Sequence, residues 1–289
     1  MRRTITTAAL TALATSVARI DAVAAQLKGR VNHSVCKWCY GKIPLEEFCV
    51  AAKGIGLASV ELLDPPDFPT IKKHGLTCAM VSYPSGKTPQ GVTVGGIPKA
   101  FNRLEHHDTL VEIYEKRIKQ TAEAGLTQLI CFSGNREGLA DEKGIENCAI
   151  GLKRVLPIAE KHKVTLVMEL LNSKVNHKDY QCDHTEWGVA LCKAVGSERF
   201  KLLYDIYHMQ IMEGDVIATI RRHKDFIAHY HTGGVPGRAE IDDTQELFYP
   251  AIVKAIIETG YKGHIGQEFI PKRKDPIASL KQGVEICDV

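Results

Sequence analysis

Four short apolar runs in the second half of the chain each end on a side chain able to bind a metal, and each is followed by a loop and a helical pattern. They close on Glu169 in TLVMELLN, Asp205 in KLLYDIYH, His231 in IAHYHTGG and Glu268 in GHIGQEF. Successive ends are 36, 26 and 37 residues apart. One strand-plus-helix unit of an eight-fold barrel takes roughly 30 residues, since about 250 residues build eight of them. Four consecutive units would therefore set three carboxylates and one imidazole on a single rim, the carboxyl-terminal rim on which such barrels do their chemistry.

The rest of the chain agrees with that period. Strand signals fall at Asn32–Cys36, Ala58–Leu63, Thr77–Ser82, Gln128–Phe132, Thr165–Leu170, Lys201–Asp205, Phe226–His231 and His264–Phe269, most of them short and rich in Val, Ile or Leu. Such runs suit parallel strands covered on both faces. Helical patterns lie between them at Leu45–Gly54, His106–Ala124, Glu142–His162, Thr185–Val195, Gly214–Arg222, Thr244–Thr259 and Pro276–Ile286. The alternation predicts an α/β fold, a single-domain (β/α)8 TIM barrel over residues 30–289. A doubly wound sheet is the competing architecture, and active groups at several successive strand ends argue against it. Pro65-Pro66 and the Pro84–Pro98 stretch interrupt the helical signal after the second and third strands. The latter reads as a long loop over the active face.

Residues 1–25 stand apart as a leader segment. Arg2-Arg3 precede a mostly small, apolar run, and Ala22-Val23-Ala24 offers a small-residue cleavage pattern. Two readings stay open, a loose twin-arginine signal directing the chain to a periplasm and an N-terminal extension of a cytoplasmic protein. The net charge of +3 supports neither a nucleic-acid partner nor a membrane surface. The nine cysteines are odd in number and sit in apolar contexts, which favours reduced, buried thiols, the Cys36/Cys39 pair included.

Three oxygen donors and one nitrogen (Glu169, Asp205, Glu268 and His231) suit Mg²⁺ or Mn²⁺, with Co²⁺ or Zn²⁺ as alternatives. His229 lies two residues before His231 and so shares its face one layer deeper, where a core histidine is the leading reading. His208, in the loop leaving the sixth strand, is a candidate to hydrogen-bond a substrate oxygen. Arg238, presented by the Gly233–Arg238 turn, could clamp a carboxylate. Asn172 is a candidate substrate contact or a turn residue, Glu61 could hydrogen-bond within the pocket, and Trp38 could wall it.

At these positions the chain resembles the xylose-isomerase-like TIM-barrel superfamily, and within it the hydroxypyruvate isomerase family. The matching pieces are Glu169-Leu170-Leu171-Asn172, Asp205 through Gln210, Val235-Pro236-Gly237-Arg238 and Gly266-Gln267-Glu268-Phe269. The resemblance runs from about Asn32 to the end and is strongest over residues 165–270. It implies that Glu169 and Glu268 are the catalytic acid/base pair as well as metal ligands. His231 stands where hydroxypyruvate isomerases carry Gln and instead resembles the ketose 3-epimerases; Val175 stands where those epimerases carry a further Glu. The expected activity is a metal-dependent isomerisation of hydroxypyruvate to 2-hydroxy-3-oxopropanoate through an enediolate. A ketose 3-epimerase and a non-catalytic sugar-binding barrel are the alternatives. The expected partner is a small keto acid or ketose, with a homo-oligomer open.

Overall fold

The computed structural model describes residues 27–289, so the expected leader lies outside the described residues. Seven parallel strands form one curled sheet: β1 (Asn32–Cys36), β2 (Ser59–Glu61), β5 (Gln128–Cys131), β6 (Thr165–Glu169), β7 (Phe200–Asp205), β8 (Ile227–Thr232) and β9 (His264–Gln267). Their order is β2-β1-β9-β8-β7-β6-β5. The remaining strands, β3 (Gly86–Lys87) and β4 (Thr93–Val94), form a small antiparallel hairpin in the long loop that the Gly- and Pro-rich stretch predicted.

The two sheet edges meet through residues 77–82. Isolated bridges join Ser59 to Thr77 and Leu63 to Val81 on one side, and Val81 to Leu129 on the other. Backbone bonds from Val60 to Thr77 and from Ile130 to Val81 complete the ring. This segment was expected as a regular strand and is not one. The Ser59 hydroxyl accepts the Ala79 amide, and the Cys78 thiol donates to the Met80 carbonyl, so side chains take bonds that a continuous ladder would make.

Helices cover the outside: α1 (Leu45–Ile55), α2 (Phe68–Lys73), α3 (His107–Glu123), α4 (Asp141–His162), α5 (Thr185–Val195), α6 (Ile206–Met212), α7 (Val216–His223), α8 (Tyr249–Glu258) and α9 (Pro276–Cys287). Two differ from expectation. Residues 206–212, read as a loop, are helical because Asp205 caps them, its carboxylate accepting the His208 amide at 3.1 Å. Conversely α8 begins at Tyr249 rather than Thr244. Asp242 accepts both the amide and the hydroxyl of Thr244, and Gln245 bonds to Leu247, so local turns outcompete the first helical turn there. All nine cysteines are free, eight buried and Cys39 half-buried, as expected. No helix among the described residues is long and apolar enough to cross a membrane.

Close packing of α4 on α3 depends on Gly151. A Cβ there would come within 2.7–2.9 Å of the His107 ring, which is buried and held 2.8 Å from the Phe101 carbonyl oxygen. Gly151→Ala gains helix propensity of about 1 kcal/mol but overpacks a pinned ring, at a cost of about 1–3 kcal/mol. The expected result is a net loss of stability, read as a lower urea midpoint with an unchanged slope.

Candidate metal and acid–base centre

The parallel register builds the centre layer by layer. Asp205 is paired with His231 across β7 and β8, and His231 with Gly266 across β8 and β9. Glu169 ends β6, and Glu268 follows β9 with its amide bonded to the Thr232 carbonyl. Glu169, Asp205, His231 and Glu268 are all buried, and each offers a ligand atom within 4.8 Å of the others. The four residues singled out by spacing therefore converge.

The two imidazole nitrogens of His231 face different ways. Nδ1 faces the carboxylates, 2.9 Å from Glu268 Oε2 and 3.5 Å from Glu169 Oε1. Nε2 faces the barrel interior, 3.5 Å from both Glu61 Oε1 and Cys36 Sγ. Glu61 in turn has its other oxygen 2.9 Å from His229 Nε2. Burial raises the Glu61 carboxyl, but His229 and then His231 more than compensate and hold it below the usual carboxylate range. An ionised Glu61 favours a proton on His231 Nε2. Burial works against charging the ring, but Cys36 and the facing carboxylates raise its pKa well above the ordinary value. Nδ1 is therefore protonated too, until a cation displaces that proton and takes the lone pair. Gly266 makes room for this: a Cβ there would sit 1.9 Å from Glu61 Oε1.

Three buried carboxylates within this distance repel one another. Burial, with Glu268 and Glu169 adding to it, pushes the Asp205 carboxyl up to about 8 against the pull of Arg238. Burial and Glu268 likewise raise Glu169. Burial also raises Glu268, yet Arg238 and then His231 outweigh it and keep that carboxyl well below its ordinary value. Glu169 Oε1 and His231 Nδ1 are buried, and neither makes a well-aligned hydrogen bond, although Nδ1 faces Glu268 Oε2 at 2.9 Å. A divalent cation fits this donor set. It would satisfy both atoms and displace the protons that the crowded carboxylates otherwise share.

Arg238 enters from the Gly233–Arg238 turn with its backbone in the left-handed region at φ 54°. One terminal nitrogen donates to Asp205 (3.2 Å) and to Glu268. The guanidinium lies over Trp38, 5.1 Å from the ring centroid, and its Nε has no partner. Trp38 donates its indole N–H to Glu268 Oε1 at 2.7 Å, so it fixes a carboxylate as well as walling the pocket. His208 accepts the Asn172 backbone amide at its Nδ1, which places the proton on Nε2, a buried donor without a partner. Burial and then Arg238 lower its pKa well below the ordinary value, so the ring is neutral.

Asn172 is committed to its own loop. Its side-chain oxygen accepts the Val175 and Asn176 amides, and its nitrogen donates to Asn176 and faces His208 Nδ1. Its side chain thus holds the loop and the His208 ring, the turn role that the sequence left open. Two residues not singled out from the sequence complete the site. Tyr180 donates its hydroxyl to the Glu169 carbonyl (2.9 Å), and His177 lines the cavity. The loop after β6 brings both in, and no periodicity marks a loop residue.

A family model described as a xylose isomerase-like TIM barrel matches residues 51–288. The hydroxypyruvate isomerase of Escherichia coli is 26% identical over 222 residues, covering 75% of this chain and 84% of that protein. The 2-oxo-tetronate isomerase of Cupriavidus necator is 38% identical over 109 residues, covering 38% and 41% respectively. The crystal structure titled AP endonuclease, family 2, from Brucella melitensis superposes with a TM-score of 0.75 at 26% identity, over 88% of this chain and 99% of that one.

The Glu61 contact gives the centre a test that does not depend on turnover. Glu61→Gln removes the charge that orients His231 and should weaken Mn²⁺ binding about 10–100-fold. Electron paramagnetic resonance of free Mn²⁺ in a titration measures it; wild-type affinity in the variant would contradict the orientation described.

Proposed function

The chain belongs to the xylose isomerase-like TIM-barrel family, and from that premise we propose that it is a divalent-metal-dependent isomerase of small hydroxy-keto acids. Its simplest reaction interconverts hydroxypyruvate and 2-hydroxy-3-oxopropanoate by moving one proton between neighbouring carbons. The observation that carries this reading is that Glu169 and Glu268, from opposite ends of the four-strand run, line one cavity and reach the same cation-ready cluster.

Carbon next to a carbonyl is a weak acid, so the reaction needs a placed base, a placed acid and stabilisation of the negative charge that develops on oxygen. Glu169, Asp205, His231 and Glu268 would hold Mg²⁺ or Mn²⁺, which when bound supplies that charge stabilisation. One of Glu169 and Glu268 takes the proton from the hydroxyl-bearing carbon, and the other delivers a proton to the former carbonyl carbon. Trp38 and Arg238 hold Glu268 in place, while Glu169 keeps an oxygen free. In this reading the unpaired His208 Nε2–H donates to a substrate oxygen and the unpaired Nε–H of Arg238 to its carboxylate, which the lack of a protein partner at either nitrogen supports.

His231 favours one second reading. A nitrogen donor at this position resembles the ketose 3-epimerases, whose chemistry also needs two carboxylates and one cation. Turnover of a ketose panel against hydroxypyruvate separates the two.

In D₂O with Mn²⁺, the wild-type protein should wash deuterium into the carbon-bound positions of hydroxypyruvate, followed by NMR. Glu169→Gln and Glu268→Gln should each slow this by about 10²–10⁴-fold. Full exchange in both variants excludes them as the acid/base pair.

A further inference from the structure

The centre accounts for only part of its cavity. The pocket measures about 390 Å³ and is bounded by Glu169, Glu268, Arg238 and His177 together with a larger set of apolar side chains. The division follows the barrel. The charged groups and His177 come from the β6–β9 half, which also contributes Leu171. On the other side Leu62 follows β2, Ser82 and Tyr83 end and follow the 77–82 segment, Ile130 and Phe132 come from β5 and its end, and Ile97 descends from the long loop, so that Ser82 is the one polar residue there. Hydroxypyruvate has three carbons, each bearing oxygen, and at interior packing density fills on the order of 100 Å³. Such a molecule offers nothing for the apolar half to bury.

Leu62 supplies an independent observation. Its backbone sits at φ 58°, a region that bulky side chains avoid, and its amide is held by the Met80 carbonyl at 2.8 Å. Strain of this kind persists where the surrounding structure enforces it, and it clusters at ligand sites. Here it belongs to a half-buried leucine that lines the cavity directly after Glu61.

We propose that the substrate is a 3-hydroxy-2-oxo acid carrying an apolar substituent, aliphatic or aromatic, on its hydroxyl-bearing carbon, and that Leu62, Tyr83, Ile97, Ile130 and Phe132 form the subsite for that group. This rests on the isomerase reading above and narrows its substrate class. The reaction balances without a co-reactant. The C3–H bond breaks, a C2–H bond forms, and carbonyl and hydroxyl exchange places to give a 2-hydroxy-3-oxo acid with the substituent untouched. Hydroxypyruvate is then the smallest member of the series, with hydrogen in place of the substituent.

The test is binding rather than turnover, so that it is independent of the acid/base assignment. Calorimetry on the Mn²⁺-loaded wild-type protein compares 2-oxobutanoate, 4-methyl-2-oxopentanoate and phenylpyruvate, which lack the reacting hydroxyl. Affinity should rise along the series by about 10–100-fold, the range expected for burying one large apolar side chain. Leu62→Asn keeps a residue that tolerates the left-handed backbone while removing the apolar surface, and Ile97→Ser does so from the loop. Each should flatten the gradient at least threefold. A flat or inverted series in the wild type, or no binding by any of the three acids, overturns the subsite. A steep series with no turnover of hydroxypyruvate or of the 3-hydroxy derivatives of 4-methyl-2-oxopentanoate and phenylpyruvate would leave the subsite standing and sink the isomerase reading; turnover with a flat series would do the reverse.

Discussion

The structure is organised around the cost of keeping three carboxylates together out of water. An isolated buried carboxylate is strongly disfavoured, and Glu169, Asp205 and Glu268 lie in one buried cluster with a single guanidinium among them. Such a group is tolerated only where the scaffold is rigid and the charge has a counterpart. The barrel supplies rigidity, since each residue stands at or beside the end of a strand hydrogen-bonded on both sides. Arg238 supplies one positive charge, and a divalent cation would supply the rest. Centre and fold are thus coupled, because moving any of strands β6–β9 would leave a buried charge without its neighbours.

Beneath that layer the barrel interior is polar where hydrophobic packing is the rule. Cys36, Glu61, His229 and His231 make a floor in which each group faces another. Its effect is directional, with Nε2 of His231 turned to Glu61 and Nδ1 to the rim. The burial of Cys36 and the neighbouring carboxylates push its thiol well above the ordinary value, so it stays neutral and serves as a small, polarisable spacer.

Much of this was legible in the sequence because a barrel repeats one unit. Strand ends recur at nearly constant intervals, so the spacing of Glu169, Asp205, His231 and Glu268 carries three-dimensional information, and those four residues converge as the spacing implied. Glu61 and His229 were visible as polar residues on the correct face, but their pairing joins β2 to β8 across the ring interior, and no local pattern reports a contact between residues 168 positions apart. His208 was placed in a loop because the short helix after Asp205 is fixed by a cap rather than by periodicity. Tyr180 and His177 were missed for a related reason. They act from an irregular loop whose path is set by the Asn172 side chain and not by hydrophobic pattern.

That the four rim residues share a single divalent ion can be read directly from crystals soaked in Mn²⁺, by anomalous diffraction at the manganese edge. The account predicts one strong peak, ligated by Glu169, Asp205, Glu268 and the Nδ1 nitrogen of His231. A map with no peak there, or with manganese bound only elsewhere on the protein, would contradict it.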